Sequence, residues 1–167
     1  MRPFGIFGFA SACLLLASSA WAVPVGQPAP ALQGTLFDSK TSFDLTSLRG
    51  KVVYVDFWAS WCAPCRVSLP RFNALREQLA SRGLEVVGVS VEEDATALRR
   101  ALQRAGLRYP VLHQPPTLAA LWQVPAMPTG YLLDRSGRVR SVHLGFRESE
   151  FPALKQEIET LLKESAP

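Results

Sequence analysis

The chain has little with which to hold a metal or to staple itself together. It carries 3 cysteines, 2 histidines and 2 methionines in 167 residues. A structural zinc site wants four ligands, and beyond Cys62 and Cys65 the folded part offers only His113 and His143. Covalent haem attachment needs a histidine directly after a C-x-x-C pair, and Arg66 stands there instead. Charge of one sign is scarce too. The net charge is +4, and the basic residues are scattered rather than clustered, which excludes a nucleic-acid footprint. There is no repeat, no low-complexity tract and no internal linker. What remains is an ordinary globular composition, 48% hydrophobic and 19% charged. That is enough for the core of one domain behind a leader.

A long apolar run is also missing. The stretch from Phe4 to about Leu16 contains glycines and serines and is short for a spanning helix. Arg2 precedes it, and Ala20-Trp21-Ala22 follows with small residues where a signal peptidase reads. The expectation is a signal peptide over 1–22, cleaved after Ala22, and a single domain over 23–167 in a periplasmic or secreted protein. An uncleaved membrane anchor is the alternative. Acylation at Cys13 has thin support in Ala10-Ser11-Ala12. Once Cys13 leaves with the leader, Cys62 and Cys65 are the cysteines that remain. Two cysteines so close do little to cross-link a fold. A short pair in an oxidising space points to redox work.

That pair lies in Val52 to Cys65, around which the rest of the chain is arranged. Val52 to Trp58 is a nearly continuous apolar, β-branched and aromatic run, suited to a strand buried on both faces. Leu69, Phe72, Leu75 and Leu79 follow at helical spacing. Cys62 is therefore expected where a buried strand ends and a helix begins. Unpaired N–H groups and the helix dipole favour a thiolate there.

Along the chain, Leu32 to Leu45 reads as two short strands around Asp38-Ser39-Lys40, and 46–50 as a turn with a short helical piece. A helix over about 63–82 ends at Gly83. A second buried strand covers 84–91. Asp94 caps a helix that Gly106 ends. A short strand is expected at 109–112 and a brief helix at 117–122. Strands at 129–134 and 139–145 are joined through Arg135-Ser136-Gly137. Ser149 is expected to cap a last helix with Pro152 in its first turn. Strand, helix, strand, helix, hairpin, helix describes an α/β protein with a mixed sheet covered on both faces.

These residues resemble the thioredoxin-like family, and within it the exported thiol:disulfide oxidoreductases of the TlpA/ResA and cytochrome c maturation type. Val25 to Pro30 looks like the family's opening, Leu48 to Val53 like its lead-in strand, and Phe57 to Cys65 like its active site. Met127-Pro128-Thr129 looks like its cis-proline element. The resemblance implies a thioredoxin fold with an N-terminal β-hairpin and a central αβ insertion. It implies an enzyme that exchanges disulfides with protein thiols, fed by a membrane or soluble thiol donor, without organic cofactor or metal. The branch suggests a reductant, for instance of apocytochrome c thiols.

Cys62 is then the expected nucleophile and Cys65 the buried thiol that resolves the mixed disulfide. Asp56 interrupts an apolar strand with a carboxylate whose pKa burial raises. Thioredoxin has an acid at this place that moves a proton for the buried cysteine, although many exported relatives carry another residue. Glu92 and Glu93 follow the second strand, and the resemblance favours Glu93 as an acid facing the dithiol. Trp61, Pro64, Met127, Pro128 and Thr129 are expected to meet substrate. Pro128 is expected cis on the resemblance, because an X-Pro bond is cis only about 5–6% of the time. Gly130 departs from the family pattern, where a bulkier residue is usual. Trp58 and Trp122 are expected in the core, and His113 and His143 on the surface.

Two other readings use the same residues. Soft thiolates suit copper(I), which would make the chain a metal chaperone, but no Met or His stands near the pair. A peroxidase relative would need a threonine before its cysteine, and Ala59-Ser60-Trp61 supplies none.

Overall fold

The computed structural model describes residues 22–165 apart from 38, 40 and 115. The signal-peptide expectation, save for Ala22, lies outside the described residues.

Two strands, β1 (Gln33–Thr35) and β2 (Ser42–Asp44), form a separate antiparallel hairpin. A single 3-10 turn, Leu45–Leu48, leads from it to β3 (Val52–Trp58). Every residue of β3 is buried, and so is every residue of β4 (Leu84–Ser90). That is what a continuous apolar run requires of a strand covered on both faces. The two pair in parallel from Val52–Leu84 to Trp58–Ser90.

Helix α1 (Ala63–Leu79) connects them and buries Cys65, Leu69, Phe72, Leu75 and Leu79. Beyond Leu79 the chain tightens into a 3-10 turn, Ala80–Arg82, and Gly83 reverses it at φ +102°. That is a left-handed geometry that only glycine adopts without cost. Helix α2 (Ala95–Ala105) is capped by Asp94, whose Oδ1 accepts from Thr96 N at 2.7 Å.

Strand β5 (Val111–His113) adds to β4, and α3 (Pro116–Leu121) follows. On the other side β6 (Thr129–Leu133) pairs antiparallel with β3, and β7 (Val139–Leu144) with β6. The sheet order is β5-β4-β3-β6-β7. Helix α4 (Phe151–Lys163) closes the chain and buries Leu154, Ile158, Leu161 and Leu162. Its cap differs from expectation. The helix starts after Glu150, which makes no side-chain cap bond, and Ser149 falls outside it.

The sheet separates two cores. Tyr54 and Trp58 of β3 pack with the cysteines, α1 and α4. Val53, Val55 and Phe57 face the other way, onto Trp122, Tyr131, Val139 and the N-terminal Val23, Leu32 and Leu45. The alternation along β3 decides which side chains share a face with the dithiol.

Candidate active site

Cys62 is the cap residue of α1. Its backbone is extended, φ −79° and ψ 109°, and its Sγ accepts from Cys65 N at 3.2 Å. Pro64 stands in the first turn, where a missing N–H leaves nothing unpaired. Cys62 and Cys65 are joined as a disulfide with S–S 2.00 Å and Cα–Cα 5.3 Å. Cys62 is 5% exposed and Cys65 0%. Both residues are thus buried in the disulfide form, and an exposed nucleophile is not seen at Cys62 there. Trp61, 65% exposed, and Pro64 form the rim beside it.

The Met127–Pro128 bond is cis. Thr129 pairs with Phe57, so this bond lies at the end of β6 beside the last residues of β3. It therefore stands at the end of the sheet from which the cysteine loop springs. Pro128 and Thr129 are buried, and Thr129 Oγ1 donates to Ala126 O at 2.7 Å. Met127 is half-buried against the cluster that holds both cysteines.

Asp56 is fully buried on β3 between Tyr54 and Trp58 in alternation, hence on the dithiol face. Neither of its oxygens has a hydrogen-bond partner. Burial pushes its pKa from 3.8 to about 8. Trp58 Nε1 and Tyr109 Oη are also buried and unpartnered. Trp58 Nε1 and the ring of Tyr109 lie beside Gly88, the residue that pairs with Asp56 across the sheet.

The acid beside the cysteine loop is Glu92, not Glu93. Glu92 is buried, and its Oε2 accepts from Ser60 N at 3.2 Å and from Ser60 Oγ. Glu93 is exposed. The histidines are not plain surface residues either. His113 Nε2 contacts Glu92 O, and its ring meets Phe37 edge-on at 5.8 Å. His143 is half-buried, 3.2 Å from Glu157 Oε2. Its pKa is lowered, chiefly by burial, against the opposing pull of Glu157.

Gly130, the departure from the family pattern, has a local cause. A Cβ there would lie 1.8 Å from Tyr54 Oη. Tyr54 is buried and stacked on Phe72 at 4.5 Å between ring centres. Trp58 and Trp122 are both fully buried, as expected.

Among the described residues, no three His, Cys, Asp or Glu side chains come together to hold a metal ion. Nor is any helix there long and apolar enough to cross a membrane.

Comparison with known proteins identifies the family. The Redoxin family model matches residues 24–158. A thiol-disulfide oxidoreductase ResA of Geobacillus thermodenitrificans is 32% identical over 142 residues, covering 84% of this chain and 79% of its own. Thioredoxin-like protein YneN of Bacillus subtilis is 35% identical over 124 residues, 72% of this chain and 71% of its own. Among solved structures, a thioredoxin-family thiol:disulfide interchange protein from Chlorobium tepidum superposes with a TM-score of 0.73 at 31% identity, over 81% of this chain and 96% of its own. A second protein from that organism, described as of DsbE type, reaches a TM-score of 0.80 at 33% identity, over 84% and 99%. The Redoxin match takes in both cysteines and the cis-proline element. The chain belongs to that family and is a thiol-disulfide oxidoreductase of the thioredoxin-like, TlpA/ResA type.

Proposed function

We propose that the chain is exported after cleavage at Ala22 and reduces disulfides of protein partners outside the cytoplasm, with apocytochrome c thiols as one class of product. The observation that carries the mechanism is the unequal pair at the start of α1. Cys62 Sγ faces the N–H of Cys65 at the helix N-terminus, which favours a negative sulfur. Cys65 is wholly covered.

In the reduced protein, the Cys62 thiolate attacks one sulfur of a partner disulfide. A Cys62–partner S–S bond forms, and the partner's other sulfur leaves as a thiolate. In the molecules in which it is ionised, Asp56, a carboxylate with an elevated pKa and no competing partner, takes the Cys65 proton. The Cys65 sulfur then attacks Cys62 Sγ. The internal disulfide closes and the second partner thiol departs, so two electrons pass from the enzyme to the partner. Pro128 in its cis form and the Met127 backbone at the sheet end offer a platform for the partner's strand. Trp61 and Pro64 cover its apolar side chains, and Thr129 braces the turn through Ala126 O. A membrane or soluble thiol donor reduces the pair again.

The test is trapping. Cys65→Ala, incubated with a disulfide-bonded substrate such as insulin, is expected to accumulate a mixed disulfide on Cys62 visible by mass spectrometry. Cys62→Ser is expected to abolish reduction. Full activity of Cys62→Ser sinks the proposal.

A further inference from the structure

Beside the dithiol, and lined by neither cysteine nor Pro128, lies a cavity of about 240 Å³ between α1 and α2. Trp58, Leu69, Pro70, Ala101 and Ala105 give it apolar walls, and Arg66 and Arg104 complete the lining with Ser60. The residues come from one face of each helix. Arg66, Leu69 and Pro70 are spaced three and four apart on α1, as are Ala101, Arg104 and Ala105 on α2. Pro70 also has no N–H for the carbonyl of Arg66, the bond a regular helix would make at this point.

We propose that this cavity is a specificity subsite for the protein partner: it seats one apolar side chain of the segment flanking the partner's disulfide, with an adjacent carboxylate on Arg66 and Arg104. The inference rests on the exchange reading above and deepens it.

Size selects the first part. Sites for whole drug-sized ligands run to about 300–1,000 Å³, and this cavity falls below that range, so it suits a single side chain. Charge selects the second part. The lining holds two guanidinium groups and no carboxylate. Among the described residues neither Arg66 nor Arg104 forms an ion pair, and both are exposed. Helix α2 carries Arg99, Arg100 and Arg104 and no acid between Ala95 and Ala105. Glu92, which reaches the cavity wall only through Ser60, is buried with its Oε2 on the Ser60 N–H and hydroxyl.

Position makes the subsite relevant to exchange. Ser60 stands two residues before Cys62, and Arg66 directly follows Cys65. Arg66 Nη1 donates to Ser60 O at 3.4 Å, which ties the cavity mouth to the cysteine loop. An occupant here lies alongside a partner whose disulfide is being presented to Cys62.

The experiment uses the reduced full domain and two disulfide-bonded peptides. Each carries leucine two or three residues from its cysteine, flanked in one by glutamate and in the other by lysine, and a third peptide replaces the leucine of the glutamate peptide by glycine. The measured quantity is the ratio of kcat/KM for the two peptides within each protein, which is insensitive to how much of a variant is folded. The wild-type protein is expected to prefer the glutamate peptide by about five- to tenfold at low salt, as two surface charge pairs allow. The preference is expected to shrink as salt rises. Arg66→Glu with Arg104→Glu is expected to invert the ratio. Ala105→Phe, which puts a ring on the cavity lining, is expected to erase the advantage of leucine over glycine while leaving the charge preference in place. A ratio near one in the wild-type protein, or one that the charge reversal does not move, overturns the subsite. If insulin and both peptides all go unreduced, the exchange reading falls and the subsite falls with it. If insulin is reduced and the ratio is flat, only the subsite falls.

Discussion

Asp56 is a carboxyl with nothing to hold its charge. Its oxygens are buried and unpartnered, and the group stays protonated up to about pH 8. In the unfolded chain the same acid ionises near 3.8. Between those values the folded state binds one more proton than the unfolded state, so stability falls as pH rises. The contribution is full below pH 4 and gone above about 8. Asp56→Asn removes it. The expected result is a wild-type stability that drops relative to the variant between pH 4 and 8, by an amount bounded at about 6 kcal/mol by the span from 3.8 to about 8. Urea unfolding at a series of pH values measures the difference. The same variant is expected to slow resolution by Cys65, seen as a longer-lived mixed disulfide. A variant whose stability runs parallel to wild type at every pH refutes the assignment of the proton. This carboxyl was legible in the sequence, because one Asp inside a run of Val, Tyr and Phe has nowhere to go but the core. Glu92 was not. The strand ends at Ser90, the two-residue alternation ends with it, and no periodicity remains to say which of two neighbouring glutamates turns inward.

At the scale of elements, the strand pairing explains a residue that the family pattern leaves odd. Gly130 on β6 faces Asp56 across the register, and His143 on β7 faces Gly130. Tyr54, two residues before Asp56, lies over the Gly130 Cα. Gly130→Ala places a methyl 1.8 Å from Tyr54 Oη and 2.2 Å from Tyr54 Cζ. Overpacking of this kind costs about 1–3 kcal/mol, read as a lower denaturation midpoint. Because the ring carbon is nearly as close as the oxygen, Tyr54→Phe is expected to give little rescue. Tyr54→Leu, which removes the ring, is expected to recover more of the loss in the double variant. Full recovery with Tyr54→Phe would place the clash at the hydroxyl alone and refute this account. The same three strands explain why the sequence misplaced His143. A lone histidine in β7 reads as surface, but pairing beside Gly130 turns it toward Tyr54 and Glu157 of α4. That proximity is tertiary and leaves no local signal. The elements themselves were legible, since buried strands, capped helices and the positive-φ glycines Gly83, Gly106 and Gly137 each carry a local cause.

For the whole molecule, the dithiol occupies one face of the sheet, and the N-terminal segment holds the other closed. Gly26 N donates to Val139 O at 2.7 Å and Val139 N to Gln27 O at 2.9 Å, so the segment runs along β7 before crossing the sheet. Leu32 is 1% exposed in the second core, and Trp122 Nε1 donates to Ala31 O at 3.3 Å. Phe57, Trp122 and Tyr131 pack ring against ring beneath it. Phe57 and Trp58 are adjacent on β3 and face opposite cores, so the strand that delivers Cys62 is held from both sides. Leu32→Ala opens a cavity over Trp122 and is expected to cost about 2–5 kcal/mol. Its signature is a red-shifted Trp emission together with earlier release in denaturant. Because Leu32 touches the face opposite the cysteines, insulin reduction by the protein that remains folded is expected to stay near the wild-type rate. A rate that falls in step with stability, under conditions where the variant is fully folded, would mean that the two cores are mechanically coupled through β3.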